Sequence, residues 1–304
     1  MSKIGWRGVF PALATPFTGD GAVDKPAQAA LIELLLGEGV SGFVVGGSTG
    51  EYYSMGVEER IGVFRDVQQV VAGRGVLIAG TSSTNHSETL HLTRVAADLG
   101  YDGCMVLPPV YSLPTPVEIL KAFGEVAAIG LPVMIYNNPA RVGVGLAPAL
   151  TARLAEIPNV VAYKESARDL YAVAEVCYAT GDDLALFAGL EPYGAALLSR
   201  GGAGIVSTIS NVCGRQVVDY YNAFTAGELE TAARNQRVID EMYHLLARSG
   251  LANFAFVKSA MAALGRPGGV TRAPHIMGDE SAIAQIAKEI EGIYSRAGFA
   301  LERG

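Results

Sequence analysis

Short apolar runs of strand length alternate with amphipathic stretches along most of the chain. The runs at 8–15, 42–47, 76–80, 103–107, 133–137, 160–165, 184–188 and 204–207 are each followed by a glycine- or proline-marked loop and then a helical pattern. They recur at roughly 20–33 residues, the period of a βα unit in a barrel of ~250 residues. Most are too apolar for a sheet with one wet face and suit strands covered on both sides. The intervening periodicity predicts helices at 24–38, 57–72, 86–99, 116–129, 147–156, 168–180, 191–200 and 214–225. In the first, Pro26 falls in the opening turn and Leu31, Leu34 and Leu35 share a face. Eight strands and eight helices predict a (β/α)8 TIM barrel. A doubly wound parallel sheet is the alternative, because strand count alone does not close a ring.

After Gly227 the pattern changes. Helices are expected at 228–249, 253–264 and 279–297 with no strands between them, and 265–274 is a Gly/Pro-rich connection. The chain therefore divides into a barrel, 1–226, and a helical extension, 227–304. With 304 residues, half of them hydrophobic, it can bury a large core. No apolar run approaches the ~20 residues of a membrane span, and residues 1–7 lack a signal-peptide apolar core. The net charge of −7 without a basic run argues against nucleic acid as a partner. Three scattered cysteines, Cys104, Cys177 and Cys213, suit a reducing, cytoplasmic setting.

Barrel chemistry sits where strands end. The run Val160-Val161-Ala162-Tyr163-Lys164-Glu165-Ser166 ends on a lysine. Alternation puts Val160, Ala162 and Lys164 on one face and Glu165 on the other, where it reads as structural. Desolvation disfavours an ammonium, and a neutral lysine amine adds to carbonyl carbon. The bland alternative is a strand-end lysine reaching water. Gly46-Gly47-Ser48-Thr49-Gly50 matches the G-x-S-x-G serine-hydrolase pattern. The next helix starts several residues late, however, and none of the four histidines ends a predicted strand. The same loop suits a carboxylate, through backbone N–H groups and two hydroxyls. Tyr136 is either a core aromatic or a proton carrier, and Arg141 either a surface ion-pair residue or a fork for a carboxylate. No cluster has metal-ligand spacing, so chemistry without a metal or cofactor is expected.

Gly47-Ser48-Thr49-Gly50-Glu51, then Tyr136-Asn137-x-Pro139-x-Arg141, then Lys164-Glu165 together resemble the dihydrodipicolinate synthase / N-acetylneuraminate lyase family, over nearly the whole chain. The resemblance implies a (β/α)8 barrel with a helical extension, assembled as a tetramer of two tight dimers. It implies that Lys164 forms a Schiff base with pyruvate or another 2-oxo acid, whose carboxylate is held by Ser48, Thr49 and nearby amides. Tyr136 would shuttle protons, linked through Ser48 to Tyr111, which would reach into the neighbouring subunit's site. Arg141 would grip a second substrate's carboxylate, and Gly189 and the backbone of Val206 would line the pyruvate pocket. The activity so implied is condensation of pyruvate with aspartate semialdehyde. The competing readings are an aldolase or dehydratase of 2-oxo sugar acids and, outside catalysis, a 2-oxo-acid-binding regulator. Synthases usually carry threonine at position 48, whereas the lyases carry serine there and lack the arginine at 141.

Overall fold

The apolar runs form eight parallel strands: β1 (Gly8–Pro11), β2 (Gly42–Val45), β3 (Val76–Gly80), β4 (Gly103–Val106), β5 (Val133–Asn137), β6 (Val160–Glu165), β7 (Ala185–Ala188) and β8 (Gly204–Ser207). The computed structural model describes residues 4–301. The strand order is β1-β8-β7-β6-β5-β4-β3-β2. The two ends of that order meet: Ala12 bridges Val44, and the Leu13 N–H donates to the Val44 carbonyl at 2.9 Å. The sheet is thus a barrel, not a doubly wound sheet.

The helices are α1 (Lys25–Gly37), α2 (Val57–Val71), α3 (His86–Asp98), α4 (Pro116–Ala127), α5 (Pro139–Val142), α6 (Pro148–Ala155), α7 (Leu170–Thr180), α8 (Gly194–Leu198), α9 (Ser210–Ala226), α10 (Leu229–Arg248), α11 (Asn253–Ala263) and α12 (Glu280–Arg296). Strand alternation sorts side chains into two cores. Phe10, Val44, Ile78, Met134 and Phe187 fill the barrel, while Phe43, Val45, Ile135 and Tyr163 pack outward against the helices. Each such side chain contributes about 1.5–3 kcal/mol by leaving water. The extension has no core of its own: Val238, Ile239 and Met242 of α10 and Ile286, Ile290 and Ile293 of α12 join the outer core. Among the described residues no helix is long and apolar enough to cross a membrane.

The structure corrects three expectations. Val160 does not share a face with Ala162 and Lys164. A register shift pairs Val133 with Val160 and Met134 with Ala162, so Val160 packs outside and Val161 inside. Such a bulge is invisible to a strict two-residue period. The first strand stops at Pro11 rather than running on to Thr15: only an isolated bridge at Ala12 follows, and the Asn211 side chain takes the next backbone groups. Asn211 donates Nδ2 to the Ala12 carbonyl at 2.9 Å and accepts the Ala14 N–H at 3.0 Å. Between β5 and β6 lie two helices rather than one; the additional single turn, α5, carries Arg141.

Candidate active site

Lys164 stands near the end of β6, level with Tyr136 on β5 and Phe187 on β7. It points inward with Ala162 and is 3% exposed. Its Nζ lies 4.0 Å from the centre of the Tyr136 ring. Gly189, just past β7, closes over it: a Cβ there would fall 2.9 Å from Lys164 Cε and collide with Ser166 Oγ. Only a glycine, with no Cβ, leaves this space beside the lysine open.

Above Lys164 opens a cavity of about 310 Å³. Ser48, Thr49, Tyr136, Arg141 and Gly189 all line it, brought together from the ends of β2, β5 and β7. Three of the sequence-derived residues are not part of its lining. Lys164 lies just behind it, against Tyr136 and Gly189. Val206 is fully buried among the barrel side chains. Tyr111 does not line it within one chain; it is 89% exposed, on a loop where it takes the left-handed φ of 73°.

The Ser48 loop is held from behind. Gly46 makes the turn at φ 68°, and Thr15 Oγ1 donates to the Gly50 carbonyl at 2.9 Å. Glu51, fully buried, pairs with Lys258 Nζ of α11 at 2.6 Å and accepts the Arg272 N–H at 3.1 Å. Lys258 Nζ also donates to the carbonyls of Thr15 at 2.7 Å and Val270 at 2.6 Å. Burial pushes the Lys258 ammonium down to about 8 even though Glu51 pulls it up. Thr49 Oγ1 lies 3.1 Å from Thr208 Oγ1, tying the loop to the end of β8. A turn and a three-residue 3₁₀ segment separate Ser48 from α2, so the loop lacks the strand–serine–helix form of a hydrolase elbow.

Tyr136 Oη accepts a hydrogen bond from Asn138 Nδ2 at 2.8 Å. Burial alone would raise the phenol's pKa, but the Lys164 charge and the hydrogen bonds of Asn138, Ser166 and Lys164 outweigh it, and the phenol is held below its ordinary value. Glu165 faces outward, where it accepts from Asn137 Nδ2 at 3.0 Å, the Tyr163 hydroxyl and the Ala167 N–H. Glu191 braces the far side of the site. It accepts from Ser207 Oγ at 2.6 Å, the Ile209 N–H at 2.9 Å and the Tyr243 hydroxyl.

Several cavity residues had no role in the sequence reading. Ser166 and Thr208 stand at strand ends, where the barrel rule already pointed. Asn253 and Phe254 come from the start of α11, where nothing in the chain's periodicity signals a site. The Arg141 guanidinium stacks on Phe254 with Cζ 4.7 Å from the ring centre. Arg168 lines the same cavity on a left-handed backbone at φ 64°. Among the described residues no Asp or Glu side chain lines it.

The Dihydrodipicolinate synthetase family model matches residues 5–293. A Rhizobium meliloti protein named as an uncharacterized DapA-like lyase is 46% identical over 288 residues, 95% of this chain and 96% of that relative. The 4-hydroxy-tetrahydrodipicolinate synthase of Moorella thermoacetica is 35% identical over 270 residues, 88% of this chain and 92% of its own. Among solved structures, YagE from E. coli K12, described as a family member in complex with pyruvate, superposes with a TM-score of 0.88. It is 30% identical and covers 94% of this chain and 98% of its own.

Proposed function

Since this chain belongs to the Dihydrodipicolinate synthetase family, we propose that it is a class I lyase in which Lys164 forms a Schiff base with pyruvate. The observation that carries this reading is a buried lysine amine 4.0 Å from the face of Tyr136, directly behind a polar cavity that Tyr136, Ser166 and Gly189 help to line. Lys164 Nζ adds to C2 of the 2-oxo acid. Tyr136 protonates the carbinolamine hydroxyl, water leaves, and the iminium forms. The phenolate then removes a C3 proton to give the enamine, whose C3 attacks an aldehyde; water finally releases the product and frees the lysine. The hydroxyls of Ser48 and Thr49 and the adjoining backbone N–H groups hold the substrate carboxylate. Gly189 and the Val206 backbone shape the pyruvate pocket.

For the second substrate, Arg141 and Arg168 with no lining carboxylate favour an anion. The leading activity is condensation of pyruvate with aspartate semialdehyde to 4-hydroxy-tetrahydrodipicolinate, a step in lysine biosynthesis. A second reading is an aldolase or dehydratase of 2-oxo-3-deoxy sugar acids or N-acetylneuraminate. It is favoured by Ser166, Thr208 and Asn253 in the same lining, since these can hydrogen-bond a polyol. Tyr111, with Leu113 and Val117 exposed near it, suits contact with a second copy. We place it in the neighbouring site of a dimer, within a cytoplasmic homotetramer of two dimers. A substrate panel tests the function: turnover of aspartate semialdehyde with pyruvate supports the first reading, turnover of the sugar acids the second. Turnover of none, with no pyruvate-dependent inactivation by borohydride, overturns both.

A further inference from the structure

Asn138 stands at the N-cap of α5, where an asparagine ordinarily accepts a backbone N–H of the first turn. Here its side chain makes no cap. It turns into the cavity and gives its Nδ2–H to Tyr136 Oη at 2.8 Å. Its neighbour Asn137 has a plainly structural task, donating to Glu165 and accepting the Leu146 N–H at 3.1 Å. Asn138 has no such task in the backbone, and a buried amide that forgoes its cap to meet a phenol oxygen calls for a chemical reason.

An amide N–H donates and cannot take a proton. It occupies one lone pair of Tyr136 Oη and leaves the phenol's own proton to point toward the cavity. On the lysine-imine reading above, we propose that Asn138 is a positioning residue for proton transfer, aiming the Tyr136 hydroxyl at the bound 2-oxo acid and hydrogen-bonding the phenolate left when that proton departs. The step balances: the phenol O–H breaks, the proton joins the carbinolamine oxygen, the C–O bond breaks, and water leaves with the iminium formed. The phenolate is neutral again once it takes the C3 proton. A hydrogen bond to a charged oxygen strengthens as the charge appears, so Asn138 favours the ionised state over the neutral one. The other groups facing Tyr136 are Lys164 from β6, Ser166 beyond it, Tyr52 from the segment after β2 and Tyr243 from α10. Lys164 and Ser166 also favour the phenolate, whereas the two tyrosines would repel it if they ionised.

The test compares wild type with Asn138→Leu, close in shape without donors, and Asn138→Asp, the same shape with a charge that repels phenolate. The reaction followed is exchange of pyruvate methyl protons with D2O, which needs no second substrate. A difference titration at alkaline pH against Tyr136→Phe isolates this phenol. The expected result is exchange slowed about tenfold or more in Asn138→Leu, with little change in the KM for pyruvate. The tyrosine midpoint moves up, and further up in Asn138→Asp. Borohydride still traps pyruvate on Lys164 in both. Midpoint and exchange rate unchanged in the two variants, or a change confined to KM, overturn the proposal. No trapping in wild type overturns the lysine reading beneath it.

Discussion

Lys164 Nζ lies 4.0 Å from the centre of the Tyr136 ring, and the proposed shuttle passes a proton between that phenol and the substrate. Replacing Tyr136 with Phe keeps the ring over Lys164 and removes the proton. Turnover should fall by ~10²–10⁴, the range of a positioned acid–base group, with pyruvate affinity nearly unchanged. Steady-state kinetics check this, and unaltered turnover would count against the shuttle. Arg168 offers a different trade. A non-glycine residue at φ 64° is strained by about 1 kcal/mol or more. Arg168→Gly should therefore raise the melting temperature while weakening an anionic second substrate. A variant less stable than wild type, or one with the same KM for every active partner, removes that role.

At the scale of elements, the barrel carries the proposed reacting groups and the extension braces the loop beside them. Lys258 of α11 reaches Glu51 behind the Ser48 loop, with both side chains essentially out of water. Lys258→Met strands the Glu51 carboxylate, at a cost of about 3–5 kcal/mol, and should loosen the loop proposed to grip the 2-oxo acid. Chemical denaturation and the KM for pyruvate measure both. The pair also sets a pH dependence. The folded pKa of about 8 lies below the 10.5 of the free side chain, so between those values the unfolded chain binds more protons. This group's contribution to stability therefore rises with pH across that window, and wild type should gain on Lys258→Met there; an unchanged difference would contradict it. The strand-end rule made Lys164, Ser48, Tyr136 and Arg141 legible in the sequence. It missed what depends on distant pairing. The shift at Val160 arises from its fit to β5, and Asn253 enters the cavity only because α11 folds back over it. Asn138 was hidden beside better-known neighbours, since its direction depends on a cap it does not make.

For the whole molecule, the proposed assembly makes the site depend on a second copy. Tyr111 is almost fully exposed in one chain and lies outside its cavity. If it completes the neighbour's proton relay, Tyr111→Ala and Lys164→Ala homo-oligomers should each be nearly inactive, and subunits mixed through mild denaturation should recover activity. Recovery needs a site with its own lysine and the partner's tyrosine; no recovery despite mixed oligomers would confine Tyr111 to another role. The catalytic expectations all rest on one covalent bond. Mass spectrometry of the peptide containing Lys164, after incubation with pyruvate and borohydride, tests it most directly. The account predicts a reduced pyruvyl adduct on Lys164, absent without pyruvate and absent from Lys164→Ala. An unmodified Lys164 in a folded protein, or an adduct on another lysine, would contradict it.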